Sequence, residues 1–212
     1  MLSRNACQTS LRVTNGLRTL ATSLVTIAAV VGIGYVIILA LVYAFQDRLL
    51  YFPSSELETD PAAIGMPFED LWLTAKDGVR LHAWYIPAAQ QTDKTVLFLH
   101  GNAGNISQRM YTVEVWHQLG FNALLLDYRG YGRSDGTSSE QGLRDDALAA
   151  WHYLIEQRTL APEAIVVHGR SLGAAVALSI TDVVKPAALI TESGFKSLPE
   201  VAAQTYPWLP VH

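Results

Sequence analysis

The chain has 212 residues, half of them apolar and 16% charged, with a net charge of −4. That is long enough for one domain with a sizeable core plus an appendage, and greasy enough that a membrane segment should be sought first. The single cysteine, Cys7, excludes an internal disulfide framework and a cysteine-rich metal site.

Residues 1–45 contain Arg4, Arg12 and Arg18 and no acid. They carry +3, so the remainder carries −7, and an acidic main body argues against nucleic acid as a partner. Leu20 to Phe45 holds no charged residue. As a helix it would cover roughly 39 Å at ~1.5 Å per residue, against a hydrocarbon core of ~30 Å. Tyr43, Phe45, Tyr51 and Phe52 cluster at its far end, where amphipathic rings suit the headgroup layer. The positive-inside rule then puts the N-terminus in the cytoplasm and the main body across the membrane. A cleaved signal peptide would have a shorter apolar run and an Ala-x-Ala-like site. A buried core helix of this length would be unusual. An organelle leader fits the first 20 residues but not the apolar run after them. Ala28-x-x-x-Gly32 would let two such helices approach, but the spacing is too common to assign an oligomeric state.

The expected organisation is a tail over 1–19, a transmembrane anchor over 20–45, a connector over 46–68 and a main domain over 69–212. Pro53, Pro61 and Pro67 keep a long helix out of the connector. Leu71–Thr74 and Val79–Ile86 flank Lys76-Asp77-Gly78, which suits a hairpin. Thr95–His100 is a short apolar run and reads as a buried strand. Ser107 to Gly120 has Val113, Val115, Trp116 and Leu119 at helical spacing and stops at a glycine. Phe121–Leu126 is the next strand. Thr137 with Glu140, or Ser138 with Gln141, would cap a helix through about Glu156, whose apolar face is Leu143, Ala147, Trp151, Leu154 and Ile155. Ala187–Thr191 is a last strand, and Ser197–Gln204 a short helix. A hairpin followed by alternating strands and helices implies a mostly parallel sheet with helices on both faces, and ligands in such sheets bind beyond the carboxyl ends of the strands.

The most informative stretch is Ala164 to Leu178. A β-branched run leads into Gly169-Arg170-Ser171-Leu172-Gly173, and an alanine-rich helical run follows. A serine at the apex of so tight a turn needs small neighbours, because a side chain at 169 or 173 would strike the strand or the incoming helix. The turn would lift the Ser171 hydroxyl clear of the sheet edge, and the helix would aim its first N–H groups at an oxyanion there. No His-x-Glu zinc pattern or Gly-Lys-Ser/Thr phosphate loop appears, and the glycine-rich Arg129–Gly136 run lacks the required lysine.

With His-Gly-Asn-Ala-Gly-Asn at 100–105, Asp-Tyr-Arg-Gly-Tyr-Gly-x-Ser-x-Gly at 127–136, Gly-Arg-Ser-Leu-Gly at 169–173 and Glu-Ser-Gly-Phe at 192–195, the chain resembles the α/β-hydrolase superfamily. More narrowly, it resembles the membrane-anchored, serine-aminopeptidase-like branch of α/β-hydrolase-domain proteins. The resemblance covers roughly residues 69–200 and implies an α/β-hydrolase core lacking its last strands. It implies Ser171 as nucleophile, Gly169 and Gly173 as the elbow glycines, and the main-chain N–H groups of Leu172 and Asn102 as the oxyanion hole. His100 and Asp127 are expected to be structural, since the family's order is serine, then acid, then histidine. Glu192 is expected to be a local hydrogen-bond anchor.

The resemblance also implies an acid and a histidine well beyond Glu192. After Ser171 the only acids are Asp182, Glu192 and Glu200, and the only histidine is His212. Asp182 falls inside the helix after the elbow, and a terminal histidine lacks the third group that would orient it. The expectation is therefore the front portion of a longer hydrolase or a short inactive product, and the ending Pro-Trp-Leu-Pro-Val-His favours the former. The implied activity is cleavage of an ester, thioester or amide through an acyl-enzyme on Ser171, with no metal or organic cofactor. The implied partners are the lipid bilayer and a lipid-like or acylated substrate. An inactive membrane-tethered interaction module and an acyltransferase are the alternatives.

Overall fold

The computed structural model describes residues 2–194. The chain divides at Leu49/Leu50 into a helical unit and a second unit built around a sheet. The first is a single helix, α1 (Leu2–Leu50), whose Leu20–Leu50 portion is long and apolar enough to cross a membrane, with most of its aliphatic side chains exposed. The anchor expected over 20–45 thus continues as helix to Leu50. Gln46 to Leu50 contain no breaker, and the helix stops only where Pro53 restricts the chain ahead of it. Arg48 in the last turn suits the negative end of the helix dipole.

In the second unit the elements run β1 (Phe52–Pro53), β2 (Glu69–Thr74), β3 (Arg80–Ile86), β4 (Thr95–Leu99), β5 (Ala103–Gly104), α2 (Met110–Gln118), β6 (Asn122–Leu126), α3 (Glu140–His152), β7 (Ile165–Arg170), α4 (Leu172–Ser179) and β8 (Ala188–Glu192). The main sheet has the order β2-β3-β6-β4-β7-β8. The β2–β3 hairpin and the β3–β6 pair are antiparallel, and β6, β4, β7 and β8 are parallel. Every residue of β4 and β6 is buried, as uninterrupted apolar runs covered on both faces should be. One face packs Leu97, Leu124, Leu126 and Val167 against α3 and α4, through Leu143, Ala147, Val176 and Ala177. The other packs Val96, Phe98 and Leu125 against α2, through Val113 and Trp116. From β4 the chain crosses to β6 on one side, and later returns to β7 on the other. The carboxyl end of β4 is therefore a topological switch point, where open α/β sheets form their clefts.

Several expectations are corrected in detail. The helix after β4 begins as a 3-10 turn at Ile106–Arg109, and only Val113 and Trp116 of its expected apolar stripe are buried. Val115 and Leu119 are exposed. Gly120 does end the helix, with φ of 78° and Phe121 N–H bonded to Trp116 O. The cap of α3 is Ser139, whose hydroxyl accepts from Gly142 N–H, rather than Thr137 or Ser138. Ser138 is engaged elsewhere, donating its hydroxyl to Arg129 O. The α-helix ends at His152 and continues as a π turn over Tyr153–Gln157. Tyr51, expected at the headgroup layer, is instead buried in the core of the second unit. The short helix expected at Ser197–Gln204 lies outside the described residues.

The segment expected as a connector is bound tightly to this unit. Phe52 and Pro53 pair in parallel with Ala103 and Gly104 as a second, two-stranded sheet. Asp60 then caps a 3-10 turn at Pro61–Ile64.

Candidate active site

At the end of β7 the chain reverses within one residue. Ser171 has φ 52° and ψ −114°, a left-handed conformation that costs a non-glycine residue about 1–3 kcal/mol. The neighbours hold it there. Ser171 N–H donates to Glu192 O at 2.8 Å, extending the β7–β8 ladder into the turn. A Cβ at 169 would overlap the Gly173 carbonyl and the Ala174 Cα, and one at 173 would overlap the Leu99 and His100 carbonyls. Both glycines are thus required by backbone crowding: Gly169 by the start of α4, Gly173 by the end of β4.

The loop leaving β4 lies beside this turn. A Cβ built on Gly101 would sit 3.5 Å from Ser171 Cβ. Leu172 opens α4, so its N–H lies among those a helix leaves without an intrahelical acceptor. Among the described residues neither the Leu172 nor the Asn102 N–H has a hydrogen-bond partner, and none bonds the Ser171 hydroxyl.

The Asn102 side chain is fully engaged. Its Oδ1 accepts from Phe52 N–H at 3.2 Å and from the Tyr131 hydroxyl at 2.8 Å. Its Nδ2 donates to Leu50 O at 2.5 Å. Asn105 does likewise at the other end of the loop, donating to Ser54 O and Glu56 O and accepting from Ser107.

His100 is fully buried between the rings of Tyr128 and Tyr131. Its Nδ1 donates to Gly101 O at 2.7 Å. Its Nε2 faces Asp127 Oδ1 at 3.6 Å, too far for a hydrogen bond. Burial pushes the ring down to about 4, against the upward pull of Asp127, so it is neutral at pH 7. A neutral ring bonded to its own loop braces that loop. Asp127, also fully buried, accepts from Ile106 N–H at 2.9 Å, and a Cβ on Gly132 would overlap its Oδ2. It ties the β4 loop to the β6 loop. Arg129 turns away from Asp127 to pair with Asp146 at 2.7 Å and Asp77 at 2.7 Å. Burial pushes the Asp146 carboxyl up, and the Arg129 bonds pull it back only in part.

Behind these, a buried histidine that sequence reading missed joins a buried and an exposed carboxylate. His82 Nε2 meets Asp70 Oδ1 at 2.6 Å, and its Nδ1 lies 3.4 Å from Asp127 Oδ2. Asp70 also accepts from Trp84 Nε1 and Arg133. Partial burial works to raise the Asp70 carboxyl, but the bond and charge of His82, with Trp84 and Arg133, hold it below its usual value. The only sequence signal for this link was alternation: Asp70 on β2 and His82 on β3 lie on one face of a hairpin. Glu192 flanks the elbow, with Oε1 3.3 Å from Arg170 Nε and Oε2 3.6 Å from His168 Nε2.

Comparison with known proteins identifies the fold family. A family model described as alpha/beta hydrolase fold matches residues 94–209. An uncharacterized protein of Mycobacterium tuberculosis is 41% identical over 90% of this chain and 67% of its own length. An uncharacterized membrane protein of Saccharomyces cerevisiae is 35% identical over 80% of this chain and 62% of its own. Among solved structures, the esterase Pf2001 of Pyrococcus furiosus superposes with a TM-score of 0.64 at 25% identity, covering 75% of this chain and 65% of that one. The chain spans about two thirds of the length of these relatives.

Proposed function

Because the chain belongs to the α/β-hydrolase family, whose fold and esterase neighbour support a hydrolase-type function, we propose that it is a membrane-anchored serine hydrolase acting through Ser171. The observation that carries this reading is the backbone of Ser171, held at φ 52° between two glycines that no side chain could replace. Strain of this kind persists where the surroundings over-determine it, and it sets the hydroxyl at the switch point of the sheet.

In the proposed reaction Ser171 Oγ attacks the carbonyl carbon of an ester, thioester or amide. The hydroxyl proton passes to a base, and the carbonyl electron pair moves onto oxygen. The Leu172 and Asn102 N–H groups receive that oxyanion; loss of one such donor typically costs ~3 kcal/mol of transition-state stabilisation. On collapse the base returns its proton to the departing alcohol, thiol or amine; it then takes a proton from the attacking water and passes it to Ser171 Oγ as the acid leaves. No described residue is placed to be the base, and His100 is unsuited to it. The acid and histidine of the triad are therefore assigned to polypeptide outside the described residues, in keeping with the greater length of the relatives. The apolar Leu20–Leu50 helix supports a membrane anchor, and the three arginines before it support a cytoplasmic N-terminus. That location brings lipid-like or acylated substrates within reach, and the proposed reaction uses no metal or cofactor.

A second reading has one observation in its favour: the Ser171 hydroxyl has no partner among the described residues, as in an inert, tethered interaction module. A fluorophosphonate probe separates the two. Labelling that disappears in Ser171→Ala is the expected result for the hydrolase. A chain that stays unlabelled, both alone and in a form extended to the relatives' length, would leave only the inert module.

A further inference from the structure

We propose that residues 50–58 are a positioning strap for the oxyanion loop, and that the Asn102 side chain is the positioning group through which the strap holds the Asn102 N–H toward Ser171. This rests on the serine-hydrolase reading of the site.

Outside the strap, the main chain of the loop from Gly101 to Asn105 is held by His100 Nδ1 on Gly101 O and by the Arg109 guanidinium on Ala103 O. Gly101, Ala103 and Gly104 carry no polar side chain, and Gly104 sits at φ 80°. Its two polar side chains, Asn102 and Asn105, both bond the strap: Asn102 to Leu50 O and Phe52 N–H, Asn105 to Ser54 O and Glu56 O. The backbone adds the β1–β5 pairing and a bond from Ser54 N–H to Gly104 O. Further along, Glu58 N–H donates to the Ser107 hydroxyl. The strap is itself fixed from behind, because Tyr51 is buried and Ser54 O accepts from Gly132 N–H. Tyr131, whose hydroxyl completes the Asn102 clamp, also packs edge-on against His100. Three residues from two separate parts of the sequence therefore converge on one amide side chain, whose own main-chain N–H is without a partner among the described residues.

An oxyanion donor works only when it is already in place as charge develops. On this view the residues that follow the membrane helix belong to the reaction centre rather than to a spacer.

The test uses the protein extended to the relatives' length, in detergent micelles, with two readouts: amide hydrogen exchange over residues 100–105, and fluorophosphonate labelling resolved into probe affinity and maximal labelling rate. Asn102→Ala is expected to speed exchange over 100–105 at least ten-fold while leaving β4 and β7 unchanged. It is also expected to lower the maximal labelling rate by ten-fold or more at unchanged probe affinity, a split that a general loss of structure would not give. Asn102→Asp keeps the acceptor for Phe52 and Tyr131 but sets a carboxylate oxygen against Leu50 O, so it should shift both readouts in the direction of Asn102→Ala. Tyr131→Phe keeps the packed ring and removes one bond, and should shift both readouts the same way by less. Unchanged exchange in Asn102→Ala, or an unchanged maximal labelling rate, overturns the proposal. If the unaltered protein stays unlabelled both as this chain and extended to the relatives' length, the serine reading is what fails, and the exchange comparison alone then upholds or overturns the strap.

Discussion

Gly173→Ala tests the elbow by its packing alone. The added methyl would overlap the carbonyls of Leu99 and His100, which are backbone atoms at the end of the central strand. Neither can move without disturbing the β4–β7 and β4–β6 ladders. Overpacking typically costs ~1–3 kcal/mol, and obstruction by strand backbone rather than by a swinging side chain puts this case at or above about 3 kcal/mol. In a domain of this size ~3 kcal/mol corresponds to a drop of roughly 6–12 °C in Tm. Gly101→Ala is the control in the neighbouring loop, because its methyl would meet its nearest atoms at 3.5 Å, an ordinary contact. It should stay within ~0.5 kcal/mol of the unaltered chain. Denaturant unfolding followed by fluorescence of the core tryptophans Trp84, Trp116 and Trp151 measures both. Equal stabilities for the two variants would refute the crowding argument and, with it, the structural reason for glycine at 173.

Replacing Ser171 by glycine removes the hydroxyl and relieves the left-handed strain, offset by about 0.4–1 kcal/mol of added unfolded-state entropy. The expected outcome in the same unfolding assay is a gain of about 1 kcal/mol together with loss of labelling. Asp146→Ala strands the buried Arg129 with Asp77 as its remaining carboxylate. A loss of ~3 kcal/mol is expected, the low end for breaking a buried pair, and a loss under ~1 kcal/mol would show that Asp77 suffices. His100 has its pKa lowered from 6.5 to about 4 in the fold, so between those values the unfolded chain binds the extra proton. Stability therefore falls as pH drops from 6.5 toward 4, by roughly 3 kcal/mol at ~1.4 kcal/mol per unit. A His100→Asn variant should show that much less acid sensitivity over the same window; parallel pH profiles would contradict a buried neutral ring.

The sheet and the elbow were legible in the sequence because their signals are local. Val96 to Leu99 and Ala123 to Leu126 are unbroken apolar runs, and the glycines around Ser171 mark a turn by their spacing. The cap of α3 slipped by one residue because Thr137, Ser138 and Ser139 are all cap-forming types. Tertiary hydrogen bonding to Arg129 O decided among them by taking Ser138. Val115 and Leu119 fit a helical stripe equally well, but the sheet covers only the side of α2 bearing Val113 and Trp116. The residues around Ser171 were visible as motif members, whereas the partners of Asn102 were not. Leu50, Phe52 and Tyr131 are ordinary apolar and aromatic residues, and what recruits them is a main-chain carbonyl, a main-chain N–H and a phenol that no motif records. His82 and Asp70 were hidden for a similar reason, since an isolated histidine in a strand says nothing until its hairpin register is known.

The bonds joining residues 50–58 to the β4 loop span about fifty positions of sequence. During synthesis the amino-terminal half of each pair leaves the ribosome long before its mate exists. Closing so large a circuit is entropically slow, and it returns little until β4 is already seated in the sheet. Docking of this segment is therefore predicted to come late in folding, after the rate-limiting barrier. Lesions in it should leave the speed of folding nearly intact and shorten the lifetime of the native state.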